Sequence, residues 1–245
     1  MTIQTIKVLN QLNQQFYQKV AASFSATRKN PWLGWEQCLA FIRQVPSPLT
    51  VVDVACGNGR FGEFLEKNTI SVTHYTGIEN NQVLLDEAKS RVTTTGTFKK
   101  VDIVETLLDG TWGSHLPPAS VITLFGLVHH VPSLALRQQL LAESWDKVLP
   151  GGLLIFTTWQ FKHLKRFSPE RLSSIKVTVR TEDLEGNDYF LDWDANAASV
   201  RYCHLVDDKE VQRLLPAVDN LVANFSADGQ DGKTNHYYIL RKPLA

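Results

Sequence analysis

The stretch VVDVACGNGRFGEFL, residues 51–65, decides how this chain is read. A β-branched run ends in Asp53, a knot of Cys56, Gly57, Asn58 and Gly59 follows, and the tail from Arg60 has helical character. A strand that turns through glycines into a helix sets bare backbone N–H groups near a helix N-terminus, where a ligand can lie without meeting a Cβ. In a parallel sheet that turn belongs to the carboxyl edge, the usual ligand position.

Outward from this stretch, strand-like and helix-like segments alternate. The pattern predicts strands over 49–54, 72–78, 97–102, 119–125 and 152–159, with helices over 60–67, 80–92 and 133–148 between them. Such alternation reads as an α/β fold with a parallel sheet and helices on both faces. The C-terminal end differs: a helix over 207–215 precedes a strand near 218–226, the turn ADGQDGK and a strand over 235–241, which is an antiparallel hairpin. Upstream, Ile6, Leu9, Leu12, Phe16 and Val20 recur at helical intervals, predicting an amphipathic helix over 3–26 outside the main fold. Pro31 starts a second helix that ends before Pro46.

Bulk composition excludes several classes. The 245 residues are 43% hydrophobic, enough for one large core, yet no run nears the ~18 apolar residues of a membrane span. The N-terminus lacks the blocks of a signal peptide, so a cytoplasmic protein with no membrane partner is expected. Cys38, Cys56 and Cys203 are scattered without metal-ligand spacing, so neither a metal site nor a disulfide framework is expected. Lys plus Arg balance Asp plus Glu at 25 each, leaving no global field for nucleic acid. Locally, Lys162, Lys165, Arg166, Arg171, Lys176 and Arg180 face one acid, Glu170, and residues 181–194 then hold six acids and no Lys or Arg. These read as two solvated loops or as a phosphate-contacting patch.

The run GNGRFG, Gly57 to Gly62, satisfies the G-x-G-x-x-G spacing, so spacing alone leaves a nicotinamide dehydrogenase and a methyltransferase both open. Asp53 before the turn, the second strand ending YTGIENN with Glu79, and the terminal hairpin shift the balance. With these features residues 48–242 resemble the class I S-adenosylmethionine-dependent methyltransferases. The resemblance implies a Rossmann-like, seven-stranded, mostly parallel sheet that ends in such a hairpin. It places Asp53, Gly57 and Gly59 in the loop under the methionine portion of S-adenosylmethionine and Glu79 at the ribose, with Ala55 and Asn80 also at the cofactor site. Asp102 falls beside the adenine amino group, Ile103 against the ring, and Phe125 at the same cofactor site.

Five further blocks in order, FYQKVAASFSATRKNPW, CGNGRF, FGLVHHVPS, RYCHLVDDKEV and NHYYIL, resemble the eukaryotic wobble-uridine carboxymethyl tRNA methyltransferases. Those enzymes methylate the carboxylate of 5-carboxymethyluridine at the anticodon wobble position. The resemblance therefore implies a tRNA anticodon loop as partner and a small zinc-binding activator protein at the sheet edge beside the third strand. Residues 1–47 are expected to form a helical lid or extension and 48–245 the methyltransferase domain, with 160–206 an insertion near the substrate.

A carboxylate nucleophile is ionised at neutral pH and needs no general base; it needs a cation or donor to hold its other oxygen. Arg28, His129, His130 and Arg201 are the candidates for that role. Phe24, Trp32 and Trp159 are candidate stacking surfaces for a splayed base, with Tyr202 and His204 close in sequence to Arg201. The alternatives are a class I enzyme for a small-molecule carboxylate or hydroxyl, and a cofactor-binding adaptor without turnover.

Overall fold

A computed structural model of the chain describes residues 1–27, 30–162, 179–192 and 200–244 and, at Phe24, the backbone alone. The β-branched run of the opening stretch builds β1 (Leu49–Val54), an inner strand of the main sheet. Its side chains alternate, Val52 and Val54 packing into one core and Leu49 and Val51 into the other, as a strand covered on both faces requires. Around it lie β2 (Val72–Glu79), β3 (Gly96–Lys100), β4 (Ala119–Leu124) and β5 (Val148–Trp159). Separate from these, β6 (Asp188–Asp192) and β7 (Val200–His204) pair antiparallel as a two-stranded sheet. The chain closes with β8 (Leu221–Ala227) and β9 (Asn235–Arg241), and the main sheet has seven strands in the order β3-β2-β1-β4-β5-β9-β8. The first five pair in parallel, while β9 runs antiparallel to both β5 and β8. The seven-stranded Rossmann-like sheet and its terminal hairpin are thus as expected.

Helices α1 (Ile3–Thr27), α2 (Leu33–Ile42), α3 (Arg60–Lys67), α4 (Gln82–Arg91), α5 (Ile103–Leu108), α6 (Trp112–His115), α7 (Leu134–Asp146) and α8 (Asp208–Leu214) cover the sheet. Side chains of α2 and α3 enter the core on one face; α5, α6, α7 and α8 fill the other. Trp112, fully buried, anchors α6. None of the described helices is long and apolar enough to cross a membrane.

Several boundaries correct the sequence reading. β3 ends at Lys100, and Asp102, expected inside that strand, caps α5 by accepting from the Glu105 backbone N–H at 3.2 Å. Helices α5 and α6 had no counterpart in the predicted pattern, because at six and four residues they are too short to show a period. β5 begins at Val148, before the two glycines 151 and 152, since Val148 already pairs with Ala119. Residues 160–206, expected as an insertion near the substrate, contain β6 and β7. The basic run lies largely outside the described residues.

Candidate active site

Neighbouring connections diverge between β1 and β4, and a cavity of about 310 Å³ opens at the carboxyl ends of these strands. Its floor is the turn after β1. Ala55, Gly57 and Gly59 all take the left-handed backbone, with φ of 58°, 54° and 77°. A Cβ on Gly57 would meet no protein atom within 4 Å, so the space above that residue is left for a ligand. Gly59 has a different reason for being glycine: its Cβ would sit 2.8 Å from the Cα of Ala88, and it lets α3 start against α4. Expected to touch cofactor, Gly59 is absent from the lining of the cavity.

Glu79, at the end of β2, ties the floor to the wall. Its Oε2 accepts from the Gly57 backbone N–H at 3.0 Å and its Oε1 from those of Asn80 and Asn81, both at 2.9 Å. Burial raises its pKa against the pull of these three bonds. Of roughly four acceptor positions on a carboxylate, one remains for a hydroxyl in the cavity. Asp53 is 2% exposed and accepts from the Tyr75 hydroxyl at 2.5 Å and the Thr123 hydroxyl at 2.7 Å. Desolvation lifts its pKa to about 6. Ala55, Asn80, Asp102, Ile103 and Phe125 also line the cavity, so every expected cofactor residue except Gly59 is brought together there.

The wall that sequence reasoning missed is α1. Asn10, Asn13, Gln14, Tyr17 and Gln18 line the cavity, so α1 belongs to the site rather than lying outside the fold. Asn10 Nδ2 donates to both carboxylate oxygens of Asp102, at 3.1 and 3.0 Å, and Gln14 Nε2 donates to its Oδ2 at 2.5 Å. The signal was in the sequence: positions 10, 13, 14 and 17 are polar at the i, i+3, i+4, i+7 spacing of one helix face. Arg60, also unassigned from sequence, lines the opposite end, its guanidinium 5.3 Å from the Trp35 ring and 5.9 Å from that of Trp32.

The proposed acceptor residues separate into groups. His130 and Trp32 line the cavity. His130 Nδ1 lies 3.0 Å from the Tyr202 carbonyl oxygen, which only accepts, so Nδ1 carries the proton and Nε2 accepts from the Tyr17 hydroxyl at 2.8 Å. Burial, then the charge of Arg201, pulls the His130 pKa down to about 3. His129 stands behind it, 5% exposed, its pKa well below the ordinary value through burial and the neighbouring His130 and Arg201. Burial thus disfavours the charged form of both rings, the cationic half of the cation-or-donor role expected of them. Arg201 is 6% exposed, its guanidinium between the rings of Trp159 at 4.7 Å and Phe16 at 5.0 Å, with Nη1 3.4 Å from the Tyr17 hydroxyl. Trp159 therefore serves Arg201 rather than lining the cavity, a correction to its expected stacking role.

Tyr202 and His204 point from the opposite face of β7, away from the cavity. The Tyr202 hydroxyl donates to Asp188 at 2.6 Å; His204 has Asp188 Oδ1 2.6 Å from Nδ1 and Glu210 Oε2 2.6 Å from Nε2. Neither side chain reaches the substrate position expected for it. Arg28 and the Phe24 side chain lie outside the described residues.

Residues 51–152 match the family model described as a methyltransferase domain. A tRNA (carboxymethyluridine(34)-5-O)-methyltransferase of Schizosaccharomyces pombe is 25% identical over 243 residues, 91% of this chain and 94% of that protein. Two solved structures share the fold. An S-adenosylmethionine-dependent methyltransferase from Methanosarcina mazei has a TM-score of 0.59 at 16% identity over 83% of this chain and 96% of its own. The N-methyltransferase NodS from Bradyrhizobium japonicum, in complex with S-adenosylhomocysteine, has a TM-score of 0.53 at 14% identity over 98% of each chain. With the family match laid over the glycine turn and the cavity above it, residues 51–152 carry a methyltransferase domain, and the chain has the Rossmann-like fold of S-adenosylmethionine-dependent methyltransferases.

Proposed function

We propose that the chain methylates the carboxylate of 5-carboxymethyluridine at the tRNA wobble position, forming the methyl ester. The reading rests on one feature of the acceptor end: Arg201, a buried guanidinium, lies 3.4 Å from the hydroxyl of the cavity-lining Tyr17. A guanidinium beside the acceptor end suits a carboxylate better than an amine, because its planar fork of N–H donors matches carboxylate oxygens. The Schizosaccharomyces pombe relative, a carboxymethyluridine methyltransferase, supports the same acceptor.

S-adenosylmethionine supplies an electrophilic methyl group on a sulfonium, and an ionised carboxylate needs no base to attack it. The chain's task is alignment, which can lower a barrier by about 7–11 kcal/mol. Gly57 leaves room for the methionine portion, Glu79 offers its remaining acceptor position to a ribose hydroxyl, and Asp102 faces the adenine end beside Ile103. Trp32 offers a flat face for the target base, a contact worth roughly 1–3 kcal/mol. Residues 1–47 act as a lid over this site, and β3, one of the two edge strands of the main sheet, is the edge where an activator protein would sit.

The test is methyl transfer from labelled S-adenosylmethionine to tRNA carrying 5-carboxymethyluridine, with and without a zinc-binding activator, followed by nucleoside mass spectrometry. The expected product is an ester that mild alkali hydrolyses. An alkali-stable product, or transfer only to free small carboxylic acids, would overturn the assignment.

A further inference from the structure

Asp102 lines the cavity, yet its carboxylate is already engaged by the protein. Its Oδ1 accepts from the Glu105 backbone N–H at 3.2 Å and from Asn10 Nδ2 at 3.1 Å; its Oδ2 accepts from Asn10 Nδ2 at 3.0 Å and from Gln14 Nε2 at 2.5 Å. A carboxylate has roughly four acceptor positions, and these contacts use them. A ligand amine could bond Asp102 only by evicting an amide of α1.

The same contacts fix which way the two amides lie. A carboxylate only accepts, so the NH₂ groups of Asn10 and Gln14 face Asp102 and their carbonyl oxygens are turned from it. Neither Asn10 Oδ1 nor Gln14 Oε1 accepts a hydrogen bond from any of the described residues, although Asn10 is only 7% exposed. A buried amide oxygen without a donor is costly, and a donor is what this end of the cavity lacks. Both residues line the cavity and stand one turn apart on the same face of α1. With the methionine portion over Gly57 and the ribose at Glu79, the donor of the cofactor still without a partner is the 6-amino group of adenine. It carries two N–H bonds, which matches two amide oxygens.

We infer that α1 carries the purine selectivity of the site: the amide oxygens of Asn10 and Gln14 accept from the 6-amino group, and Asp102 is a positioning residue that holds both amides in the orientation that reads an amine. This rests on the methyltransferase reading above and moves adenine recognition from the sheet edge to the N-terminal helix. A purine with a carbonyl at position 6 would set oxygen against oxygen there, and a site built for an N–H rejects a ligand without one.

Titration calorimetry with S-adenosylhomocysteine and its deaminated analogue S-inosylhomocysteine tests this without turnover. The parent should bind the adenosyl compound roughly 10- to 100-fold more tightly than the inosyl one. Gln14→Lys keeps a donor on Asp102 and removes the amide oxygen, so that ratio should fall at least about threefold, chiefly through weaker binding of the adenosyl compound. Gln14→Ala frees one position on Asp102 and should also weaken adenosyl binding. Gln14 is half-buried, and Lys and Ala both favour helix, so both variants keep the fold. If α1 only braces the site, the two Kd values move together and the ratio in Gln14→Lys stays within about twofold of the parent's. If α1 instead competes with adenine for Asp102, Gln14→Ala binds S-adenosylhomocysteine more tightly than the parent. Either result, or a parent that binds the two compounds equally, would overturn the inference. A parent that binds neither compound would overturn the methyltransferase reading beneath it, and this inference with it.

Discussion

At single residues the site is a set of local compromises, and two of them give sharp predictions. Gly57 has a φ of 54° and open space where a Cβ would be, so Gly57→Val meets backbone strain and fills the ligand's room. The strain costs about 1–3 kcal/mol; S-adenosylhomocysteine binding, followed by calorimetry, should fall at least about 100-fold, more than that strain alone explains through any unfolded fraction. Asp53 carries the opposite balance. Its pKa near 6 in the fold, against about 3.9 unfolded, means that ionisation is disfavoured in the native state. Stability is therefore highest below pH ~4, falls as pH rises, and has lost its full share above about 6. Asp53→Asn, able to bond both Tyr75 and Thr123, should be up to about 3 kcal/mol more stable than the parent above pH 6 and no more stable at pH 4, read by denaturation at each pH. The same variant should bind cofactor more weakly, the usual exchange at a site that holds a charge for function. Gly57 was legible in sequence because its turn is local, and Glu79, 22 residues on at the end of β2, through the family resemblance. Gly59 sits in the same motif, yet its neighbour Ala88 comes from α4, a contact that no local spacing announces.

Among the elements, α1 and β7 changed meaning most. The apolar rhythm of α1 was read correctly as a helix, but its second, polar stripe is what closes the cavity, and only docking against Asp102 and His130 makes that stripe a wall. β7 shows the effect of strand alternation: Arg201 faces Trp159 and Tyr17, while Tyr202 and His204 face a polar cluster behind it. In that cluster Arg137, fully buried on α7, bonds Glu185 at 2.6 Å and Glu210 at 2.7 Å, and His204 lies between Asp188 and Glu210. Burial by itself lowers the imidazole pKa, but the bonds to Asp188 and Glu210 outweigh it and the net shift is upward. The raised value means that the stability supplied by protonated His204 is fully present below about pH 6.5 and is lost as pH rises through the folded pKa. His204→Gln should accordingly cost about 1–3 kcal/mol at pH 6, with the gap narrowing toward pH 9. A gap that widens with pH would show that His204 is neutral in the fold. Because β7 carries Arg201, the same titration should be visible in the amide exchange of β7 before that of β1.

For the molecule as a whole, cofactor binding and folding are one equilibrium. Ligand at about 100 times its Kd stabilises the native state by about 2.7 kcal/mol, which for a chain of this size corresponds to a Tm increase of roughly 5–10 °C. S-adenosylhomocysteine should produce that shift, nicotinamide dinucleotide none, and calorimetric scans with each would distinguish the two nucleotide readings that the G-x-G-x-x-G spacing left open. What the sequence alone determined is the sheet and its glycine turn: β-branched runs, turn glycines and the terminal hairpin are encoded by neighbours a few residues apart, whereas the set Asp53, Gly57, Glu79 and Asp102 was implied by the family resemblance these motifs carry. What only the tertiary structure decided is the acceptor end. Tyr17, His130 and Arg201 are separated by 113 and 184 residues along the chain from Tyr17 to each partner, and they meet because α1 packs across the carboxyl edge and β7 returns beneath it. Charge state there follows burial and proximity, and these are properties of the folded core rather than of any segment.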